Sequence, residues 1–264
     1  MSYIPTDWSD NDEITSVSLN HLESGVTAVG YEPTQWSAGD VVTAEKLNKL
    51  EQGVAESADV MVDYINRSIT EFTITPEMNS YGSEYPEYFS IGGYGFTFRN
   101  CSHLTKVNGL ELITYEVSPD AFTGTALTEI DLPNAYYIGS SNDNYSIIGG
   151  SSCAKLSCKK AETIYKGGLS GAASLEYLYL PSAKTIGDSV QGCSKIKHVY
   201  IGANCTSIGS SCFSGSGGQS TGLIIDCGFA EGAVSGAPWG ATNATINYNV
   251  PDPGSIDAMI EGNN

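Results

Sequence analysis

The sequence predicts a mainly β protein: a solenoid of short stacked strands, preceded by an oligomerising α-helix and an extended N-terminal anchor. Three observations predict it. A hydrophobic unit recurs with a period in the low twenties from about residue 100 onward. Residues 47–69 carry apolar side chains at helical spacing. Residues 5–54 hold two copies of one short unit, too small to bury a core of its own.

Composition supports the β reading. Of 264 residues, 30 are Gly, 16 are Tyr and only 16% are charged; such a chain favours short strands and turns over helical bundles. The net charge of −18 repels phosphate backbones, so no nucleic-acid partner is expected. Met1 to Asp12 is polar and acidic, so no secretory signal is expected. The chain also lacks an apolar run of the roughly 18 residues needed to enter a membrane. Seven cysteines, an odd number with no CxxC pair, are expected as buried thiols and not as disulfides or zinc ligands.

The anchor comes first. Residues Pro5 to Val26 and Pro33 to Val54 align without a gap, with twelve of 22 positions identical. In each copy an extended Pro-Thr-x-Trp segment, carrying Trp8 or Trp36, precedes an acidic turn. Thr15 or Thr43 then caps a short helix presenting Leu19 and Leu22, or Leu47 and Leu50. A unit with so little to bury folds on something else, as a docking peptide does. These six residues (Trp8, Leu19, Leu22, Trp36, Leu47, Leu50) are therefore the expected anchoring contacts.

The second copy runs on into a longer helix. Leu47, Leu50, Val54, Ala58, Met61, Ile65 and Ile69 are spaced 3, 4, 4, 3, 4, 4. An 11-residue period favours a nearly straight or slightly right-handed oligomeric bundle. Val54, Ala58, Met61, Ile65 and Ile69 are its expected self-association positions, in a homo-oligomer taken as a trimer.

The repeats follow. Leu127 to Gly139 (LTEIDLPNAYYIG) and Leu175 to Gly187 (LEYLYLPSAKTIG) share one pattern. A third unit begins at Ile196 and ends at Ile208-Gly209. A degenerate copy around Cys153, Leu156 and Cys158 has thiols where leucines stood, and an N-terminal copy starts at Leu104. This spacing, with LxxLxL, is the leucine-rich-repeat signature: each unit contributes one short strand whose aliphatic side chains point inward. The domain order is then an anchor over 1–43, an oligomerisation helix over 44–72, a linker or lid over 73–98, repeats over 99–228, and a C-terminal cap and tail over 229–264.

Residues between the inward leucines should face solvent and align across coils. One such row reads Asp131, Ser157, Tyr179, Tyr200 and its neighbour Glu129, Lys155, Tyr177, His198. Asp131, Tyr177, Tyr179, His198 and Tyr200 are accordingly the candidate ligand contacts, since tyrosine suits sugar rings and protein epitopes alike. Catalytic chemistry has no such focus. His21, His103 and His198 lie far apart in the chain without metal-ligand spacing, and no phosphate-binding loop occurs. No catalytic residue, metal or cofactor is expected.

The units from Ala121-Phe122 to Gly139, Gly171 to Gly187 and Gly192-Cys193 to Gly209 resemble the BspA-like class of leucine-rich repeats. Cys158 in place of Leu, and Gly202 where Pro is usual, depart from its pattern. The resemblance implies a stacked-repeat fold of a kind common in surface adhesins and found in phage tail-associated proteins. The pattern from Trp36 to Gly53 resembles the start of phage virion proteins, including the head-fibre family. The stretch from Ala233 to Tyr248 resembles the ends of phage-borne repeat proteins and is expected to close the stack. Together these imply a structural virion protein, head or tail fibre or decoration, on the virion surface. Its N-terminus would bind other capsid or tail proteins, and its repeats a host-surface glycan or protein. A bacterial cell-surface adhesin and a polysaccharide depolymerase are the competing readings.

Overall fold

A computed structural model describes residues 67–79, 86–92, 97–216 and 222–262. The anchoring positions Trp8, Leu19, Leu22, Trp36, Leu47 and Leu50, and the helix positions Val54, Ala58, Met61 and Ile65, lie outside the described residues. The chain divides into Met1–Ile69 and Thr70–Asn264.

The second unit is a mainly β solenoid of stacked coils. One ladder is a six-stranded parallel sheet of β4 (Glu129–Asp131), β6 (Lys155–Ser157), β8 (Tyr177–Leu180), β10 (His198–Ile201), β12 (Leu223–Cys227) and β13 (Ala244–Tyr248). A second ladder is five-stranded and made of two-residue strands: β3 (Glu116–Val117), β5 (Tyr137–Ile138), β7 (Thr163–Ile164), β9 (Thr185–Ile186) and β11 (Ser207–Ile208). At the N-terminal end β1 (Glu71–Thr73) pairs with β2 (Lys106–Asn108) as a separate two-stranded sheet. All pairings are parallel because each coil brings the chain back in the same direction.

One strand per repeat was the expectation; the coils carry two, and their third side is made of turns. The second strand comes from the Ala-x-x-Ile-Gly end of each unit, which is too short to announce itself by alternation. On the third side successive turns still bond to one another: Phe122 N donates to Ile147 O at 2.8 Å, Leu169 N to Ser189 O at 2.9 Å and Val190 N to Cys212 O at 3.0 Å. Gly124, Gly171, Gly192 and Gly215 occupy one corner with φ of 67–71°, a left-handed conformation that costs glycine little.

The core runs along the stack as columns. Ile130, Leu156, Leu178, Val199 and Ile225 occupy matching positions in successive strands and are fully buried. Val117, Ile138, Ile164, Ile186 and Ile208 form the facing column. Burying each aliphatic chain contributes roughly 1.5–3 kcal/mol. All seven cysteines are free and buried.

The stack is longer at both ends than 99–228. The segment expected as a linker or lid contributes its own coil: Ile91 bridges to Val117, and Phe98 N donates to Ala121 O at 2.9 Å. The rings of Phe98 and Phe122 stack 5.8 Å apart. At the other end β13 adds a further rung, and the fully buried Trp239 lies edge-on to Phe229. The helix expected over 44–72 does not include the described residues from Arg67 onward. Arg67 has φ 61°, Ile69 is buried in irregular backbone, and Glu71 already belongs to β1. Ile69 is thus not a helical self-association position. Its surroundings, Ile69-Thr70-Glu71-Phe72-Thr73-Ile74, are rich in β-branched residues that favour a strand once Lys106–Asn108 offers a partner.

Gly202, which departs from the repeat pattern, has a steric cause. A Cβ at this position would stand 1.7 Å from the Pro181 carbonyl oxygen of the preceding coil. Its N–H also donates to Leu180 O at 3.0 Å, a bond that proline has no donor to make. Gly202→Ala should therefore cost about 1–3 kcal/mol and Gly202→Pro more. Urea unfolding measures both, and unshifted midpoints would contradict the close approach.

Candidate functional site

The sequence-predicted ligand row is only half available. Tyr179 and Tyr200 are each 2% exposed and His198 is 3% exposed, so their expected solvent-facing role is corrected. What covers the two tyrosines is the chain's own C-terminus. α1 (Ile256–Glu261) sets Ile256 and Met259 against Tyr179 and Tyr200, with Val250 and Tyr177 at the margin. His198 serves the sheet instead. Its Nε2 lies 2.8 Å from Asp226 Oδ2, and Asn247 Nδ2 donates to the other oxygen of that carboxylate. This ties β10, β12 and β13 together. Asp131 and Tyr177 are part-exposed on the same side, Asp131 paired at 3.7 Å with Lys159.

An aromatic surface that is open lies elsewhere, on the five-stranded side near the N-terminal end. Tyr88, Tyr115, Tyr137 and Tyr165 follow one another across successive coils. Their ring centroids are 5.3, 5.2 and 5.8 Å apart, the first two contacts edge-to-face and the last stacked. Tyr136 adds a fifth ring, 4.9 Å from Tyr137. Tyr88 is 43% and Tyr136 37% exposed, while Tyr115, Tyr137 and Tyr165 are half-buried. A half-buried ring in a ladder supports the sheet; an exposed one leaves apolar area unused by the fold.

Tyr115, Tyr136 and Tyr137 floor an open groove of about 560 Å³, whose polar margin is Glu87, Thr114, Asn134 and Lys160. These groups are held in place. Lys160 Nζ donates to Asn134 Oδ1 at 2.8 Å, and Asn134 Nδ2 donates to Glu111 O at 2.7 Å. Phe89 N donates to Thr114 Oγ1 at 3.2 Å. Beside the groove Glu162 accepts from Lys184 and from the Tyr136 hydroxyl; these bonds hold its carboxyl below the usual range and push the Tyr136 phenol up to about 12. Flat apolar faces ringed by fixed donors and acceptors bind sugar rings by stacking and hydrogen bonding.

The sequence offers no binding expectation for four of the five rings; Tyr88 lies in an aromatic stretch that reads first as a lid on the first repeat and only second as a receptor contact. The signal was faint: Tyr136-Tyr137 and Tyr165 flank the isoleucines that end their repeats, and Tyr88 and Tyr115 join them only once the coils stack.

The cysteines with raised thiols are not poised for nucleophilic chemistry. Burial pushes the thiols of Cys153, Cys193 and Cys227 up to about 12 and those of Cys205 and Cys212 up to about 11. Thiols so raised are inert. Among the described residues no three His, Cys, Asp or Glu side chains gather as a metal site requires.

A family model described as a BspA type leucine-rich repeat region matches the chain in six copies, over residues 72–190 and 116–224. No curated protein and no solved structure matches it.

The raised thiols fix a pH dependence. Their ordinary value is 9.0 and their folded values are near 11–12, so above pH 9 the unfolded chain releases protons that the folded chain keeps. Stability is therefore fully present below pH 9 and falls as pH rises towards 12. The urea midpoint should drop steadily above pH 9, and a thiol reagent at pH 8 should find no cysteine before unfolding. A flat midpoint, or rapid labelling of the folded chain, would contradict the buried-thiol assignment.

Proposed function

We propose that this chain, which belongs to the BspA-type leucine-rich repeat family, is a non-catalytic adhesion protein of a phage particle that binds a host-surface glycan through its tyrosine groove. The observation that carries the adhesive reading is the run of Tyr88, Tyr115, Tyr137 and Tyr165 with exposed Tyr136 at its side. The fold has no need to leave those rings in contact with water. BspA-like repeats are consistent with a surface adhesion-type protein. The excess of carboxylates favours a neutral glycan over an anionic one.

The particle-bound part of the proposal rests on the duplicated segment. Trp8, Leu19 and Leu22, and their counterparts Trp36, Leu47 and Leu50, would dock on capsid or tail proteins. Val54, Ala58, Met61 and Ile65 would join copies, in a trimer, and so multiply weak glycan contacts. On this reading the protein sits on the virion surface, with its repeats presented outward.

Each part makes its own prediction. Tyr137→Ala, with Tyr115→Ala as a second variant, should weaken binding to a neutral oligosaccharide panel about thirtyfold, the loss of about 2 kcal/mol typical of a central aromatic anchor. Circular dichroism should stay unchanged, and undiminished binding by a folded variant removes the groove from the proposal. Deleting residues 1–40 should abolish incorporation into particles while the repeats stay folded; normal incorporation refutes the docking role.

A further inference from the structure

The C-terminal segment lies across the side of the solenoid and not over its end. The end is closed by β13 and Trp239; residues 251–262 instead cross the outer face of the six-stranded sheet. Asp252 accepts from the Tyr179 hydroxyl at 2.6 Å, Asp257 pairs with Lys155 at 2.7 Å, and Ile256 and Met259 rest on Tyr179 and Tyr200. The segment therefore reaches β6, β8 and β10.

Its attachment is of a kind that comes undone. Its backbone joins no strand ladder, so lifting it unpairs no strand of the sheet beneath. The Lys155–Asp257 pair is at the surface, with the Asp257 side chain 67% exposed, where such pairs hold weakly. α1 has six residues, capped by Ser255 Oγ accepting from Ala258 N at 3.1 Å. A helix of that length is not stable in water and forms only against a surface. Gly254, at φ 82°, stands just before it between Pro253 and Ser255.

The face underneath carries more than a permanent cover requires. In register across the sheet, one outward row reads Asp131, Ser157, Tyr179, Tyr200, Asp226, Asn247. Only its two middle positions are aromatic, their rings stacked 5.7 Å apart, and Tyr177 borders them with Lys197 Nζ 5.8 Å from its ring centroid. A polar row throughout would have needed no cover at all.

We propose that residues 251–262 are a displaceable strap closing a peptide-binding face made by Tyr177, Tyr179 and Tyr200. The segment that replaces the strap shares its chemistry: two aliphatic side chains three residues apart, flanked by carboxylates. This face is on the opposite ladder from the tyrosine groove, so neither reading depends on the other.

Hydrogen exchange on the intact chain tests the lifting. The amides of Ala258, Met259 and Gly262 should exchange at least a hundredfold faster than those of Tyr179 and Tyr200; exchange in step with the sheet overturns the strap. Binding is tested with a labelled synthetic peptide of residues 249–262. It should bind the full-length double variant Ile256→Asp/Met259→Asp saturably and at least tenfold more tightly than the unaltered chain. Adding Tyr179→Ala and Tyr200→Ala should abolish that binding. Absence of binding to the released variant, or binding that survives loss of both tyrosines, overturns the proposal. So does loss of the variant's cooperative thermal transition, which would make the segment an integral part of the fold.

Discussion

Each coil satisfies its strand amides with carbonyls of the coils on either side, so no coil holds its backbone bonds or its core alone. The rest of the structure depends on that constraint. It requires parallel strands in register, one aliphatic side chain per rung pointing inward, and close backbone approach wherever one turn lies over the next. Gly202 against Pro181 shows how close that approach becomes. It also leaves an unsatisfied coil at each end. At the C-terminal end the problem is met twice: Trp239 is buried against Phe229, and β13 is an edge strand whose exposed positions are Thr245 and Asn247. Polar residues on an edge strand discourage pairing with a further chain.

The same constraint frees the outer surface. Inward positions are dictated by the columns, whereas outward positions repeat in register whatever they are, so any residue type placed there becomes a row. The five-stranded side uses this for tyrosines that remain accessible. The six-stranded side uses it for tyrosines that are covered and for the His198–Asp226–Asn247 tie between its last strands.

The inward columns were legible in the sequence because burial demands the same aliphatic at the same spacing, and Leu127 to Gly139 and Leu175 to Gly187 repeat it. The second strand of each coil was not, since two residues such as Thr163–Ile164 carry no period. The first coil was missed because Pro76, Pro86 and several glycines break its pattern, though Ile91 still aligns with Val117. The outward row was correctly placed outside the columns at Tyr179 and Tyr200, yet its exposure was misjudged. Alternation tells which side of a strand a residue occupies and says nothing of a segment more than fifty positions later folding back over it. The open groove failed for a related reason: Tyr115 lies a full coil away in the chain from Tyr136 and Tyr137 and becomes their neighbour only through the stack.

Dimensions connect the covered aromatic patch to the segment that covers it. Six helical residues rise roughly 9 Å, and two steps between adjacent strands span about 9–10 Å. A helix of that length crosses three strands, and its polar and apolar contacts fall on three: Lys155 of β6, Tyr179 of β8 and Tyr200 of β10. The row is aromatic on the two strands that receive Ile256 and Met259, whereas Ser157 of β6 and Asp226 of β12 flank them with polar groups. Ladder stability alone gives no reason for such a boundary, because cross-strand pairing would reward aromatic or β-branched residues on every rung. The patch is therefore sized to a short apolar segment.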